Sequence, residues 1–224
     1  MKTIAIVPAR GGSQGIPMKN LYPVYRKPLI SYCLNAIMTS DVDSFFVSTD
    51  SKEIKSYCES IDVEVIDRPQ NLAKDTSPTI DCIKHAVEYL SLDKEDILLT
   101  IQPTSPLILA EDINSIIEKL YKYDHAITVC KHHKILWEQI NDTILPVNHN
   151  PLNRKRRQDS NKVFNETGSI YGTKVKNILQ NNSIHGISNV GYIEIPKSRS
   201  FEVDDYEDIR IIESLLSIKP DIIL

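Results

Sequence analysis

The chain is predicted to fold as an α/β protein with a doubly wound, mostly parallel sheet. Three observations predict this. Apolar runs of strand length alternate with helix-period segments along most of the sequence. The first run, Ile4-Ala5-Ile6-Val7, has no polar alternation, so it reads as a strand buried on both faces, as in a parallel sheet covered by helices. Three loops rich in Gly, Pro or polar residues, Arg10–Asn20, Ser48–Asp50 and Gln102–Pro106, follow strands. That places them beyond the carboxyl ends of the strands, where such sheets bind ligands.

The elements follow in order. After the Ile4–Val7 strand comes IAIVPARGGSQGIPMKN's glycine-rich loop. Pro17, Pro23 and Pro28 fix φ and lack an N–H, which delays the first helix to Pro28 or Leu29; it is expected over Leu29–Met38. Phe45-Phe46-Val47 is a second strand, ending in Ser48-Thr49-Asp50. Ser51–Ser60 is helical, with Ser51 as N-cap and Glu53 and Ile54 in its first turn. Val63–Ile66 is a short strand, Pro78–Leu90 a helix, and Ile97–Ile101 a strongly apolar strand before the loop Gln102-Pro103-Thr104-Ser105-Pro106. Glu111–Leu120 is a helix and Ala126–Cys130 a strand. Strands separated by helices imply parallel pairing with right-handed crossovers. The regularity fails between His132 and Lys162, a long excursion holding the only Trp and the cluster Arg154-Lys155-Arg156-Arg157. Such an excursion inside a compact domain is usually functional or an interaction arm. Regular structure resumes at Val163–Lys174, and the last helix is expected over Tyr206–Ile218.

Size and composition narrow the function classes. The 224 residues suit one domain, 1–224, with an inserted arm at about 132–162. A hydrophobic content of 41% and a charged content of 25% are those of an ordinary soluble globule. No apolar stretch approaches the ~20 residues needed to span a bilayer, and the run in MKTIAIVPARGG is too short for a signal peptide. A cytoplasmic protein with no membrane partner is expected. The net charge of −4 argues against a nucleic-acid partner. Cys33, Cys58, Cys82 and Cys130 are far apart, with no CxxC, and read as free buried thiols of a reducing compartment.

The glycine loop carries Gly11, Gly12 and Gly15 between Arg10 and Lys19. Glycines let the backbone approach a ligand, and two cations add charge for a phosphate chain, making this a candidate nucleoside-triphosphate site. A tight connection is the plainer alternative. The loop is not a Walker A motif, because Lys19 is followed by Asn20, and Pro17 spoils a dinucleotide fingerprint. Near the end, Phe201-Glu202-Val203-Asp204-Asp205 brings a second signal. On a strand end, period-two geometry puts Glu202 and Asp204 on one face, and two such carboxylates suit Mg²⁺. Helix capping is the other reading, and Asp205, followed by Glu207 and Asp208, suits an N-cap. The basic run at 154–157 is open between a solvated loop, a nucleic-acid patch and cations aimed at a phosphate or carboxylate.

Taken together the motifs resemble the CMP-sialic acid synthetases (acylneuraminate cytidylyltransferases). The resemblance runs the length of the chain, through PARGGSQGIPMKN (8–20), VSTDS (47–51), RPQNLAKDTSPT (68–79), QPTSPL (102–107), RQ (157–158), TGSIY (167–171) and SFEVDDYEDI (200–209). It implies a Rossmann-like nucleotidyltransferase fold, a homodimer built through the inserted arm, and Mg²⁺-dependent reaction of CTP with a nine-carbon 2-keto sugar acid to give the CMP-sugar and pyrophosphate. It assigns Arg10, Gly11, Gly12, Ser13, Gly15 and Lys19 to the triphosphate, with Lys19 stabilising charge as the α–β bridge breaks. Asn20, Arg68 and Thr79 match positions at the ribose and base. Gln102, Arg157, Gln158, Thr167 and Tyr171 match positions at the sugar acid, the 157–158 pair reaching the site of the partner subunit. Glu202 and Asp204 match the metal acids.

Two departures from the family pattern stand out. Glu202 occupies a position where Asp is usual, one methylene longer. Thr167-Gly168 stands where bacterial sialic acid enzymes usually read Asn-Gly, which leaves a legionaminic- or pseudaminic-type acid open beside N-acetylneuraminate. Further alternatives are a 3-deoxy-manno-octulosonate cytidylyltransferase, a uridylyl- or guanylyltransferase for a sugar 1-phosphate, and a catalytically silent, CTP-binding scaffold subunit. The retained Arg10, Lys19 and Asp204 speak against the last.

Overall fold

The computed structural model describes residues 1–156, 158, 162–186 and 188–218. In chain order the strands are β1 (Thr3–Pro8), a small hairpin of β2 (Pro23–Val24) and β3 (Lys27–Pro28), β4 (Ser44–Thr49), β5 (Val65–Asp67), β6 (Ile97–Ile101), β7 (His125–His132), β8 (Trp137–Ile140), β9 (Thr143–Pro146), β10 (Val163–Lys174) and β11 (Val190–Glu194). The helices are α1 (Leu29–Met38), α2 (Lys52–Glu59), α3 (Thr79–Tyr89), α4 (Ala110–Leu120), α5 (Val175–Asn181) and α6 (Tyr206–Ile218). Seven strands form the central sheet in the order β11-β7-β10-β6-β1-β4-β5.

Period-two geometry sends alternate residues of β1 to opposite faces. Ala5 and Val7 pack with Ile30, Leu34 and Ile37 of α1, Ile54 of α2 and Ile113 and Ile116 of α4. Ile4 and Ile6 pack with Ile83 and Val87 of α3 and Val175 and Ile178 of α5. The strand is thus covered on both sides, the arrangement of a doubly wound sheet. The predicted helix starts hold: α1 begins at Leu29 after Pro28, and the Ser51 side chain caps α2 by accepting the Ile54 N–H. All four cysteines are free and buried.

The structure departs from the sequence expectation in four places. The pairs β1–β4, β1–β6, β4–β5 and β7–β11 are parallel, but β10 runs antiparallel to both β6 and β7. The short strand expected at Val63–Ile66 is β5, shifted to Val65–Asp67 because its ladder pairs with Val47–Thr49. The α5–β11 unit adds an edge strand that the sequence reading left unassigned. The excursion after β7 is not wholly irregular: β8 and β9 pair as an antiparallel hairpin whose turn places Asn141 at φ +54°.

Candidate active site

A third, smaller core fixes the site. Ile16 of the glycine loop, Leu107 after the Gln102–Pro106 loop and Val203 between the two predicted metal acids pack together with Leu29, Ile209 and Ile212. Each lies within a polar motif, so burial of one apolar residue per loop draws the three loops to a common place. Backbone bonding tightens the join: the Val203 N–H donates to Thr104 O at 2.8 Å. Upstream of Val203, Arg199 makes a two-pronged ion pair with Asp112 at the start of α4, one prong being Nη2 to Oδ1 at 3.0 Å. Downstream, Asp205 Oδ1 accepts the N–H groups of Glu207 and Asp208, while Asp208 Oδ2 accepts those of Asp204 and Asp205. That reciprocal cap starts α6 and pins Asp204 at its mouth.

Between these loops lies a cleft of about 440 Å³. It gathers Arg10, Ser13, Gly15, Lys19, Asn20, Arg68, Thr79, Gln102 and Asp204, drawn from five separate stretches of sequence. Its cations are held by carboxylates or carbonyls. Arg10 Nη1 lies 2.7 Å from Asp75 Oδ1 across the cleft. Lys19 Nζ donates to Val203 O at 2.8 Å and lies 3.3 Å from Asp204 Oδ1. Arg68 is buried and donates to Ser48 O and Ser48 Oγ, at 2.5 Å and 3.2 Å, with no carboxylate contact among the described residues. Burial lowers its pKa, and an anion or acceptor entering the cleft meets a guanidinium with unused donors. Asn20 is locked by its Nδ2 donating to Arg10 O at 3.0 Å.

The glycines divide their work. A Cβ on Gly15 would stand 2.4 Å from Asp204 O, so the absence of a side chain is what lets the loop lie against the Asp204 backbone. A Cβ on Gly11 would meet Ser51 Cβ at 2.8 Å, and the Gly11 N–H donates to Asp50 Oδ1 at 2.9 Å. Gly11 therefore serves loop packing, and its amide is already spent. Gly12 has nothing within 4 Å of an added Cβ and lies open.

The sugar-acid and metal residues are less uniformly placed. Gln102 lines the cleft, and its N–H donates to Ser169 O at 2.9 Å. Tyr171 does not line the cleft; it is buried with Ile6 and Val175, its phenol pushed well above the usual range by burial and by its bond to Glu166. Thr167 differs from its expected role: its hydroxyl is buried and donates to Thr128 Oγ1 at 2.7 Å, inside the sheet and not in the cleft. Gln158 is exposed on the arm, and Arg157 lies outside the described residues. Asp204 is exposed, its Oδ2 bonded to none of the described residues. Glu202 does not line the cleft. Its carboxylate sits over Gly168 (φ +66°), where a Cβ would meet Oε1 at 1.7 Å. Burial, then Asp204, pushes its pKa up to about 7, with Lys19 pulling the other way.

For a divalent cation the donor chemistry fits in part. Asp204 offers a free carboxylate oxygen at the cleft wall, and Mg²⁺ takes one or two carboxylates and completes its shell with water and phosphate oxygens. No group of three or more His, Cys, Asp or Glu side chains that could hold a metal ion exists among the described residues. Residues the sequence reading passed over are Asp75 and Lys74 on the cleft wall, Asp50 under the glycine loop, and Cys82 on the floor. Asp50 carried a signal, since it closes a strand at the carboxyl edge. Asp75 carried none.

Comparison with known proteins follows this geometry. A family model described as Cytidylyltransferase matches residues 4–208. The N-acylneuraminate cytidylyltransferase B of Danio rerio is 33% identical over 207 residues, covering 89% of this chain and 48% of that protein. The N-acylneuraminate cytidylyltransferase of Escherichia coli O18:K1:H7 is 30% identical over 223 residues, covering 94% of this chain and 51% of that protein. The chain spans about half the length of these curated relatives. Among solved structures, CMP:2-keto-3-deoxy-manno-octonic acid synthetase complexed with CTP superposes with a TM-score of 0.74 at 17% identity, covering 98% of this chain and 100% of that one. A 4-diphosphocytidyl-2C-methyl-D-erythritol synthase gives a TM-score of 0.69 at 14% identity, covering 96% and 99%. The two structural likenesses speak to the fold.

Proposed function

Since the chain belongs to the cytidylyltransferase family, we propose that it joins CTP to a free nonulosonic acid, N-acetylneuraminate first among them, giving the CMP-sugar and pyrophosphate. The observation that carries this reading is the convergence of Arg10, Lys19, Arg68, Gln102 and Asp204 on one cleft. The curated relatives bearing the N-acylneuraminate cytidylyltransferase name support the choice of acid.

In this mechanism the anomeric hydroxyl of the acid attacks the α-phosphorus and pyrophosphate leaves in line. Such transfers rest on positioning and on charge stabilisation. Arg10 exchanges Asp75 for the triphosphate. Lys19, held at the Asp204 wall, neutralises charge growing on the α–β bridging oxygen. Arg68, Asn20 and Thr79 hold the nucleoside, and Gln102 faces the acid. Asp204 would hold Mg²⁺ through its free carboxylate oxygen, and Glu202 is the second acid that the resemblance offers for it. The cation, when bound, orients phosphate oxygens and offsets their charge.

The exposed hairpin β8–β9 supports a homodimer. Trp137, Ile140, Ile144 and Leu145 all expose at least two-fifths of their surface there, more apolar area than an isolated arm keeps without a partner. A cytoplasmic location is part of the same proposal. No helix among the described residues is long and apolar enough to cross a membrane.

Pyrophosphate release with CTP, UTP and GTP against N-acetylneuraminate, legionaminic, pseudaminic and 3-deoxy-manno-octulosonic acids tests the reading. CTP with N-acetylneuraminate is the expected fastest pair. A preference for UTP or GTP, or for a sugar 1-phosphate, overturns it. A legionaminic- or pseudaminic-type acid is the second reading, favoured by Thr167 turning its hydroxyl inward where an amide is usual.

A further inference from the structure

One cluster on the same edge of the sheet has no part in the mechanism above. β10 runs antiparallel to β6, and Ile170 pairs with Ile101 at the carboxyl end of β6. The residues of β10 that precede Ser169 therefore extend past that end, still paired with β7, with Thr167 buried against Thr128 and Glu166 exposed. Glu166 stands on this overhang. Its Oε1 accepts the Tyr171 hydroxyl at 2.5 Å and lies 3.4 Å from His185 Nδ1. The His185 ring meets Tyr171 edge-on, with centroids 4.8 Å apart, so the imidazole is braced against the phenol. One oxygen of Glu166 is thus fixed by two side chains, while Oε2 bonds to none of the described residues. The Glu166 side chain is 44% exposed and that of His185 57%, so the free oxygen faces open space. The charges of Asp204 and, less strongly, Glu166 both bear on the Glu202 carboxylate, so this cluster neighbours the acids at the end of the cleft.

A buried phenol needs an acceptor, but any carbonyl would serve. A carboxylate held by two partners through one oxygen, with the other presented outwards, is the arrangement of a preorganised acceptor. We infer that Glu166 is a specificity-determining residue, whose Oε2 accepts hydrogen bonds from hydroxyl or amide donors on the C7–C9 tail of the sugar acid. Tyr171 and His185 are its positioning residues. An acid anchored beside Gln102, with its reacting hydroxyl towards the phosphates, lays its tail along the overhang and over Glu166. The inference rests on the proposed reaction and names which end of its second substrate the enzyme reads.

The test compares N-acetylneuraminate with the same acid truncated at C7 by periodate and borohydride, which removes the outer hydroxyls. Pyrophosphate release with CTP is measured for the wild type, Glu166→Gln, Glu166→Asp and His185→Phe. Glu166→Gln is expected to raise KM for the full-length acid about tenfold, the usual worth of a hydrogen bond to a charged group. Its kcat and its KM for CTP stay within about twofold, and it ceases to discriminate between the two acids. His185→Phe, which keeps an aromatic ring against Tyr171 and loses both nitrogens, shows a smaller rise of the same kind. Glu166→Asp, which keeps charge and shortens reach, retains part of the discrimination. Equal losses on both acids, or an unchanged KM in Glu166→Gln while the wild type is active, overturn the inference and leave the reaction standing. A wild type inert with every nonulosonic acid overturns the reaction, and this inference with it.

Discussion

A single methyl group added at Gly15 is expected to cost about a hundredfold in kcat, with far less effect on folding. The magnitude comes from one distance. The Cβ of Gly15→Ala would fall 2.4 Å from Asp204 O, a backbone atom that cannot swing aside as a side chain would. Ordinary van der Waals contact begins near 3.4 Å, so the loop and the Asp204 backbone must part by about 1 Å. Asp204 carries the carboxylate at the cleft wall and its neighbour Val203 carries the carbonyl that holds Lys19, so both move relative to the loop proposed to hold the triphosphate. A misplacement of ~1 Å is enough to cost ~10²-fold in an oriented transfer. The stability loss is that of mild overpacking, about 1–3 kcal/mol. The assay is steady-state pyrophosphate release, with CTP affinity by calorimetry and thermal unfolding beside it. Gly12→Ala, where the added Cβ meets nothing within 4 Å, makes the same chemical change in the same loop and is expected to lose only a few-fold. Equal losses in the two variants, or normal turnover in Gly15→Ala, refute the argument that loop-to-Asp204 contact sets the geometry.

Three further outcomes are expected. Lys19→Ala lowers kcat by about 10²–10³-fold, since one preorganised charge donor is lost, while the fold survives; near-normal turnover removes Lys19 from its role. Glu202→Gln changes the pH dependence of stability measured without added metal. The native carboxyl keeps its proton up to about pH 7 against an ordinary 4.5, so the wild type loses stability as pH rises through that interval and the variant does not. Above pH 7 Glu202→Gln should be the more stable protein, by roughly 3 kcal/mol at most, and parallel unfolding curves across the interval refute the burial account. Trp137→Glu together with Ile144→Glu on the exposed hairpin should yield monomers by light scattering, with the sheet intact by circular dichroism; an unchanged mass would place the partner contact elsewhere.

Much of the fold was legible because the relevant signals are local. Pro28 and Ser51 mark helix starts, and α1, β6, β10 and α6 occupy the spans expected. Strand direction has no local signal. β10 reads like any other apolar–polar strand, and only its pairing with Ile97–Ile101 on one side and His125–His132 on the other makes it antiparallel. The hairpin β8–β9 was hidden for a different reason: all of its residues are exposed or nearly so, and no buried face imposes an alternation. In the site, the cations of the glycine loop and Asp204 announced themselves by type and position. That Arg68 and Thr79 line the cleft was suggested by resemblance alone, because nothing in their sequence neighbours marks them. Thr167 was misplaced because a bulge in β10, between Glu166 and Tyr171, rotates its hydroxyl towards Thr128. Asp75 was invisible because its partner, Arg10, is distant in sequence, and Glu166 because its bond to Tyr171 spans the β10 bulge.

The β7–β10 pairing has a consequence for how such a protein changes over generations. Residue 132 closes one strand and 163 opens its neighbour, and the two are paired across the ladder. Everything from 133 to 162 therefore leaves and re-enters the sheet at a single rung. Lengthening, shortening or exchanging that excursion shifts no register, and a doubling of its length adds only about 0.6 kcal/mol of closure entropy. A lineage is free to redesign what this chain touches without disturbing the pairing of the sheet it leaves and rejoins.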